Sequence, residues 1–258
     1  MNRIKTAGRK TDLIKNRIHK RIAEKLLDII YPPECIFCKN EIDKTCEDGI
    51  CQNCLASLPY TKDGGCFETM GGASYLISPF MYEGGVKKAI RDLKFKSKKN
   101  NAVILAKFIC AYISNIAEIK NADLIVNVPL SPKSIQKRGF NQTKVIAEEV
   151  SRLTGIPFDS GVLVKTRETK RQSTLSTFYE RARNILGAYD CVKDVSKKTI
   201  ILIDDVYTSG TTICNCANAL LEEGAAKVIA LTAANAHKEL GYSLHNYKGS
   251  HVPSVHEA

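Results

Sequence analysis

Hydrophobic positions recur with a helical period at the start of the chain and with mixed periods further on. Isoleucine and leucine fall every three or four residues within 11–30, which predicts an amphipathic helix with a basic outer face that ends at Pro32. From residue 73 onward, short apolar runs alternate with helical patterns. Strands separated by helices predict βαβ units and a parallel sheet, so we expect an α/β fold for the main body of the chain.

The individual elements follow from the same patterns and from the residues that bound them. Buried strands, recognised as continuous apolar runs, are predicted over 124–128, 199–205 and 227–233. A strand or hairpin arm is predicted over 75–82, followed by a turn at Gly84 and Gly85. Helices are predicted over 86–93, 102–116, 141–153 with Gly155 as its cap, a stretch that ends near 185, and 212–223 with Gly224 as its cap.

The composition describes a soluble globular chain with an excess of positive charge. Of its 258 residues, 44% are hydrophobic and 25% charged, and the sequence shows neither a signal peptide nor the run of roughly 18 apolar residues that spans a membrane. We therefore expect a cytoplasmic protein without membrane insertion. The net charge of +11 is concentrated in 1–30 and 84–100. Such clusters favour a polyanionic ligand, either a polyphosphate or a nucleic acid.

The strongest chemical motif lies in 200–212, where an apolar run is followed by two acids and a hydroxyl-rich turn. Asp204 and Asp205 come at the predicted carboxyl end of the strand, where open α/β sheets bind ligands. These carboxylates can accept hydrogen bonds from the vicinal hydroxyls of a sugar or hold Mg²⁺ through water. The turn opens onto a helix, whose N-terminal N–H groups can bind a monophosphate. It consists of Thr208, Ser209, Gly210, Thr211 and Thr212.

This run resembles the motif that binds phosphoribosyl pyrophosphate (PRPP) in type I phosphoribosyltransferases. It lacks the Gly-Lys-Ser/Thr of a Walker loop and the glycine spacing of a dinucleotide fingerprint. An acidic N-cap would explain one acid but not the whole run. The resemblance implies that Asp204 and Asp205 contact the ribose 2- and 3-hydroxyls and that residues 208–212 hold the 5-phosphate. It also implies that Mg²⁺ accompanies the pyrophosphate.

Two further polar stretches could complete such a site. Arg138 and Gly139 follow the strand at 124–128, where they supply a positive charge and a tight backbone turn, although a basic surface turn would have the same sequence. The stretch 165–177 is long and polar, as functional lids are. A lid would exclude water from a cationic sugar centre. A disordered surface loop is the alternative for this second stretch.

Together these motifs resemble the ComF/GntX family of phosphoribosyltransferase-like proteins. The resemblance covers about residues 25–236 and is carried by segments in the same order at 26–35, 138–142, 167–175, 181–184 and 200–212. It implies a type I phosphoribosyltransferase fold, a parallel sheet flanked by helices, with a small N-terminal zinc module and a role in competence and DNA uptake. It also implies that Arg138, Arg167 and Arg181 take part in the site.

Two Cys-x-x-Cys pairs, Cys35 with Cys38 and Cys51 with Cys54, are separated by twelve residues. Paired knuckles of this kind predict a Zn²⁺ site with four thiolate ligands, which leaves no open position and is therefore structural. Two redox dithiols are the alternative, but the βαβ context of such motifs is missing. Many family members carry a second pair of knuckles, of which only Cys66 remains here. Cys46 is the main rival ligand, and four other cysteines are predicted to be buried thiols: Cys110, Cys191, Cys214 and Cys216.

These observations define four segments and two functional hypotheses. We predict a basic amphipathic helix at 1–31, a zinc module at 32–70, a phosphoribosyltransferase-like domain at 71–238 and a loose tail at 239–258. In the first hypothesis, a nitrogen nucleophile displaces pyrophosphate from PRPP with Mg²⁺, or the domain senses PRPP without chemistry. In the second, a non-catalytic accessory protein uses the zinc module and basic clusters to contact single-stranded DNA or a helicase partner. Phe95 among lysines gives this second hypothesis only thin support.

Overall fold

The chain divides into two compact units, residues 1–56 and 57–258. The computed structural model describes residues 32–43, 46, 49–61, 66–67, 69, 71–167 and 187–237. The predicted helix at 11–30, most of the predicted lid and the predicted tail lie outside these described residues. Every helix in the described ranges is too short or too polar to span a bilayer.

The first unit contains a small cysteine-bearing ribbon. An antiparallel bridge joins Glu34 to Glu41, and between them the chain turns with Lys39 in the left-handed conformation, φ 70°. Helix α1 (Gln52–Ser57) begins within the second cysteine pair. Few side chains are buried in this part of the chain, among them Cys35 and Phe37. So small a core depends on an additional constraint such as a metal ion.

The second unit alternates strands and helices. Its strands are β1 (Cys66–Phe67), β2 (Tyr75–Ile77), β3 (Phe80–Met81), β4 (Leu124–Asn127), β5 (Leu163–Lys165), β6 (Tyr189–Cys191), β7 (Thr199–Tyr207) and β8 (Lys227–Asn235). Its helices are α2 (Gly84–Lys96), α3 (Asn100–Ile113), α4 (Ala117–Lys120), α5 (Pro132–Arg138), α6 (Gln142–Thr154) and α7 (Thr211–Glu222).

The described strands include six that form one sheet, in the order β1-β2-β8-β7-β4 with β3 also paired to β8. Its pairings are parallel apart from the edge pair β1–β2. Strand β7 lies between β8 and β4, with Ile200 opposite Val228 and Leu124. Residues 200–203 are fully buried, as expected for a parallel strand covered on both faces. The carboxyl ends of β4, β7 and β8 therefore meet at one edge.

Helices cover both faces of this sheet. Helices α3 and α6 pack on each other, and α6 packs on β4 and β7. Helix α7 and the hairpin β5–β6 share a core with Ile200 and Leu202 of β7. Successive residues of a strand alternate between faces, so Ile201, Ile203 and Asp205 lie on the α6 side. This alternation decides the surroundings of the two acids.

The central predicted elements are confirmed. Strands β4, β7 and β8 and helices α6 and α7 lie close to their predicted bounds. Helix α6 begins where predicted because Asn141 caps it by accepting from the Thr143 amide, and it ends at Gly155 in the left-handed conformation. The predicted helix at 102–116 is α3, which starts earlier and ends at Ile113.

Other local predictions are wrong. Gly84 and Gly85 form the first turn of α2 instead of a separate turn. The stretch after β4 is not a loop, because Ser131 caps helix α5, Pro132 occupies its first turn and Gly139 ends it at φ 79°. Strand β7 includes both acids as predicted and extends two residues further, to Tyr207. The hairpin β5–β6 was not predicted, since strands of three residues carry too short a pattern.

Candidate functional site

The two acids at the end of β7 have different surroundings. Asp205 is 4% exposed, whereas Asp204 is only half-buried. Asp205 lies on the side of α6, and Asp204 lies near Tyr189 of β6 and Cys216 of α7, whose pKa values its negative charge helps to raise. Adjacent residues of a strand point to opposite faces. The pair therefore offers one enclosed carboxylate and one that solvent can reach.

Asp205 is held through both of its carboxylate oxygens. Lys94 Nζ lies 2.8 Å from Oδ1, and the Gln142 side-chain amide donates to Oδ2 over 2.7 Å. Gln142 in turn accepts a hydrogen bond of 2.9 Å from Arg138 Nη1. Burial by itself would lower the pKa of Lys94, but the charges of Asp205 and Asp204 outweigh burial, so this pKa is raised. Lys94 is therefore a permanent cation beside the two acids.

Asp204 is the titratable group of this cluster. Burial, followed by the negative charge of Asp205, raises the pKa of Asp204 from 3.8 to about 7, while Lys94 and Arg138 act in the opposite direction. Its Oδ1 accepts the backbone N–H of Asp205 over 2.8 Å. A carboxylate with a raised pKa gains from hydrogen-bond donors or cations brought by a ligand. Perturbed groups of this kind concentrate at functional sites.

The turn after β7 leads directly into α7. Gly210 is the residue before the helix and has φ 72°, a conformation that favours glycine. The ring of Tyr207 packs against Gly210, so a Cβ at this position has no room. The Ser209 and Thr211 hydroxyls lie 2.9 Å apart and are buried, whereas Thr208 is exposed. The first turn of α7 carries no acidic residue, which leaves its N-terminal dipole suited to an anion.

Arg138 and Gly139 end helix α5, which follows β4, and because β4 pairs directly with β7, α5 and the turn after β7 follow neighbouring strands at the same edge of the sheet. The Asn141 side chain ties the start of α6 to the end of β4 by donating to Val128 O over 3.2 Å. Arg138 is half-buried and, through Gln142, is joined to Asp205. The structure thus joins Arg138 to the two acids, and residues 208–212 follow these acids directly along the chain.

The predicted lid starts from the hairpin β5–β6. The Thr166 amide donates to Ala188 O over 3.0 Å, so the two ends of the intervening stretch are held together. Tyr189, at the start of β6, lies close to Asp204, and the negative charge of Asp204 is one of the causes that raise the pKa of Tyr189. Arg167 is exposed at this base, and Arg181 lies outside the described residues.

Four thiols in the first unit form a cluster that fits a zinc ion. The sulfur atoms of Cys35, Cys38, Cys51 and Cys54 all lie within 4.8 Å of one another, and the Cys38 and Cys51 sulfurs are 3.7 Å apart. Sulfurs on a tetrahedral Zn²⁺ with bonds of about 2.3 Å are separated by ~3.8 Å. Cys46 and Cys66 are not part of the four-thiol group found in the described residues. The predicted ligand set is therefore supported.

The protonation of these thiols also fits a cation. Burial would raise the pKa of Cys35, but backbone N–H donors outweigh it and lower this pKa to about 7. Burial and the neighbouring sulfurs raise the pKa of Cys54. The negative charge of one thiolate thus disfavours ionisation of the neighbouring thiols, and a bound metal ion would compensate this charge. Among the other cysteines, Cys110 and Cys216 are buried as predicted, whereas the prediction is wrong for two half-buried ones, Cys191 and Cys214.

Sequence reasoning missed three residues of the site. In the sequence, Lys94 is one of several basic residues in 84–100, and its ion pair with Asp205 joins residues far apart in the chain. Gln142 belongs to the Arg-Gly-Phe-Asn-Gln run and could have been included from that motif. Nothing in the local sequence pointed to Tyr189, which reaches the site through an unpredicted strand.

Comparison with family models and curated proteins supports this architecture. A phosphoribosyl transferase domain model matches residues 134–252, and a double zinc ribbon domain model matches residues 26–69. The DNA utilization protein YhgH of Escherichia coli (strain K12) is 30% identical over 193 residues, which cover 72% of this chain and 82% of that protein. The competence protein ComFC of Streptococcus pneumoniae (strain ATCC BAA-255 / R6) is 30% identical over 75% of this chain and 83% of its own length.

Among solved structures, glutamine PRPP amidotransferase from B. subtilis matches 51% of this chain and 26% of its own chain, with 25% identity and a TM-score of 0.33. The sheet topology and the two domain models agree with the fold class expected from the sequence. The chain combines an α/β phosphoribosyltransferase fold with an N-terminal four-cysteine zinc module.

Proposed function

The chain belongs to the ComF/GntX family, and from this premise we propose that it binds PRPP where β4 and β7 end, and that it transfers or senses the phosphoribosyl group. The observation that carries the proposal is the juxtaposition of three features. A partly accessible carboxylate, an uncapped helix N-terminus behind a glycine turn, and an arginine lie at one edge of the sheet. Sugar hydroxyls, a monophosphate and a pyrophosphate require these three kinds of group.

Each part of PRPP has a proposed set of partners. Residues 208–212 hold the 5-phosphate at the start of α7, where the N-terminal N–H groups of the helix can donate to it. The acids at the end of β7 recognise the ribose hydroxyls, with Asp204 as the more accessible of the two. Arg138 and the Gly139 turn bind the pyrophosphate, and Arg167 and Arg181 approach it from the lid.

Mg²⁺ would accompany the pyrophosphate, and the charges of the site fit such a cation. The pKa of Asp204 is raised by burial and then by the negative charge of Asp205, and a bound cation would favour the ionised form of this carboxylate. Asp204 is the carboxylate able to hold the ion through water. When bound, Mg²⁺ supplies charge neutralisation for the pyrophosphate oxygens. The residues of the chain orient the ribose between its two phosphate ends.

In the catalytic form of the proposal, a nitrogen nucleophile forms a bond to C1 of the ribose while the C1–O bond to pyrophosphate breaks. The electron pair of that bond leaves with pyrophosphate, whose charge Arg138 stabilises, and the proton of the nitrogen passes to solvent. Asp204 stabilises positive charge on the sugar as the leaving group departs. The lid excludes water, which would otherwise take the place of the nitrogen nucleophile.

The biological setting is proposed from the names of the relatives. One relative is a competence protein and the other a DNA utilization protein. We place this chain in the same process of competence and DNA uptake, acting in the cytoplasm. The conversion or sensing of PRPP would then link DNA uptake to the nucleotide supply of the cell.

Calorimetric titration with PRPP and Mg²⁺ tests the proposal. Wild-type protein is expected to give a saturable heat of binding, and Asp204→Asn to weaken binding about tenfold or more, because a charged hydrogen-bond partner is lost. Asp194→Asn is the matched control, since Asp194 is exposed before the amino end of β7. Absence of heat with the wild type at millimolar PRPP would contradict the proposal.

A second candidate function is contact with single-stranded DNA, and two aromatic residues beside basic groups support it, the exposed Phe95 and the half-buried Phe140. Phe95 is 62% exposed on α2, with the Arg138 guanidinium 5.6 Å from its ring centre. Lys99 Nζ lies 5.3 Å from the centre of the Phe140 ring. Bases stack on such rings while lysine and arginine contact phosphates. A steep salt dependence of oligonucleotide binding that Phe95→Ser weakens would favour this candidate, and binding that Phe95→Ser leaves unchanged would count against it.

A further inference from the structure

In the proposed site, Arg138 is half-buried and binds the pyrophosphate, so its side chain has to be held in place. A chain of contacts from Lys94 through Asp205 and Gln142 reaches Arg138. Lys94 Nζ contacts Asp205 Oδ1 at 2.8 Å, and the two side chains are 19% and 5% exposed. Other lysines of α2, such as Lys88 and Lys96, are exposed. Lys96 also pairs with a buried acid, Asp92, but its own side chain is 65% exposed. Lys94 is thus distinguished from the lysines around it because its own side chain is largely buried as well as its partner.

The carboxylate of Asp205 also sets the orientation of the Gln142 amide. Gln142 Nε2 donates to Asp205 Oδ2 over 2.7 Å, and an ionised carboxylate can accept but not donate. The carbonyl of this amide must therefore point away from Asp205. It accepts the 2.9 Å hydrogen bond from Arg138. Because Gln142 is 3% exposed, neither partner is readily replaced by water.

We infer that Lys94 and Gln142 are positioning residues of the PRPP site: Lys94 fixes the carboxylate of Asp205, and Gln142 passes that fixed position on to Arg138. The inference rests on the proposed function, in which Arg138 binds the pyrophosphate. Asp205 is then the anchor of this four-residue relay, and Asp204 is the carboxylate that contacts the ribose. Holding Arg138 before the ligand arrives lowers the entropic cost of binding.

Titration with PRPP and Mg²⁺ is combined with an NMR measurement that does not depend on the ligand. Lys94→Met and Gln142→Leu are each expected to weaken PRPP binding by about tenfold or more, whereas Lys88→Met, which removes an exposed charge from the same helix, changes it by less than about twofold. Lys94→Arg should restore most of the affinity. In the absence of ligand, the Arg138 Nε–H signal should become more mobile in Lys94→Met and in Gln142→Leu but not in Lys88→Met.

A double substitution separates action through Asp205 from a general effect on folding. If Lys94 acts through Asp205, Lys94→Met should weaken PRPP binding little further in an Asp205→Asn background. The inference is overturned if neither Lys94→Met nor Gln142→Leu weakens PRPP binding, or if the Arg138 signal stays equally ordered in both variants. The proposed function would stand in either case. Failure of the wild type to bind PRPP overturns the proposed function together with this inference. Should Lys94→Met not fold, the result for Gln142→Leu decides.

Discussion

Replacement of Asp204 by asparagine is expected to stabilise the folded protein at neutral and higher pH while it weakens PRPP binding. The folded pKa of Asp204 is raised from 3.8 to about 7, chiefly by burial and then by Asp205. A carboxyl group with a folded pKa above its unfolded value binds its proton more tightly in the folded state. Ionised Asp204 therefore lowers the stability above pH 7, and this cost fades as the pH falls through 7 towards 4.

The magnitude follows from the size of the shift. A difference of roughly three pKa units corresponds to about 4 kcal/mol at 1.36 kcal/mol per unit. Asp204 is half-buried, so solvent offsets part of this cost and about 2–4 kcal/mol is expected at pH 8. Asparagine has a similar shape and no charge to bury. The Asp204→Asn variant should therefore be more stable than wild type at pH 8, and by a clearly smaller margin at pH 5.

Urea denaturation at pH 5 and pH 8, without PRPP or Mg²⁺, measures this difference. Asp194→Asn is the control, because hydrogen bonds from Ser196 lower the pKa of the exposed Asp194 and no stabilisation is expected from its removal. The reasoning is refuted if Asp204→Asn destabilises the protein at pH 8, or if its effect is equal at the two pH values. If Asp204→Asn is more stable than wild type but binds PRPP more weakly, Asp204 is a residue that serves ligand binding at a cost in stability.

Two further predictions concern the metal module and the glycine turn. Elemental analysis of purified protein should find about one zinc per chain, as the four-ligand rule requires. Cys51→Ser should lose the zinc, and Cys46→Ser should keep it. A Cys46→Ser variant without zinc would contradict the ligand set. Gly210→Ala should destabilise the fold by about 1–3 kcal/mol and weaken PRPP binding, because it combines a left-handed φ with a clash against Tyr207. Gly155→Ala is the control for backbone strain, because Gly155 has φ 77° and open space where a Cβ would be added. Equal melting temperatures for the two variants would show that the clash with Tyr207 does not contribute.

The sheet core could be predicted because its signals are local and continuous. Strand β7 is an apolar run bounded by polar residues, and Asn141 and Gly155 mark the ends of α6. Helix α5 carried similar signals in Ser131, Pro132 and Gly139. It has seven residues and no buried side chain, so no apolar period reveals it. Capping residues alone would have identified this helix.

The surroundings of the two acids could not be predicted in the same way. The motif places Asp204 and Asp205 side by side in sequence, which suggests one shared role. In a strand they face opposite sides, and the partner of each is decided by packing between distant segments. Lys94 meets Asp205 only because α2 and β7 come together in the fold. A basic run in a sequence does not show which of its lysines will be buried.

If PRPP binds as proposed, the charge balance at the end of β7 implies different partners for its ribose and pyrophosphate ends. Asp204 and Asp205 are opposed by Lys94 and Arg138, so these four side chains nearly neutralise one another around the proposed ribose position. In such a balanced cluster, the carboxylate of Asp204 can accept from hydroxyls without a large net field. The pyrophosphate brings negative charge that Arg138 alone cannot balance. Under the proposed function, Mg²⁺ and Arg167 would supply the further positive charge at that end.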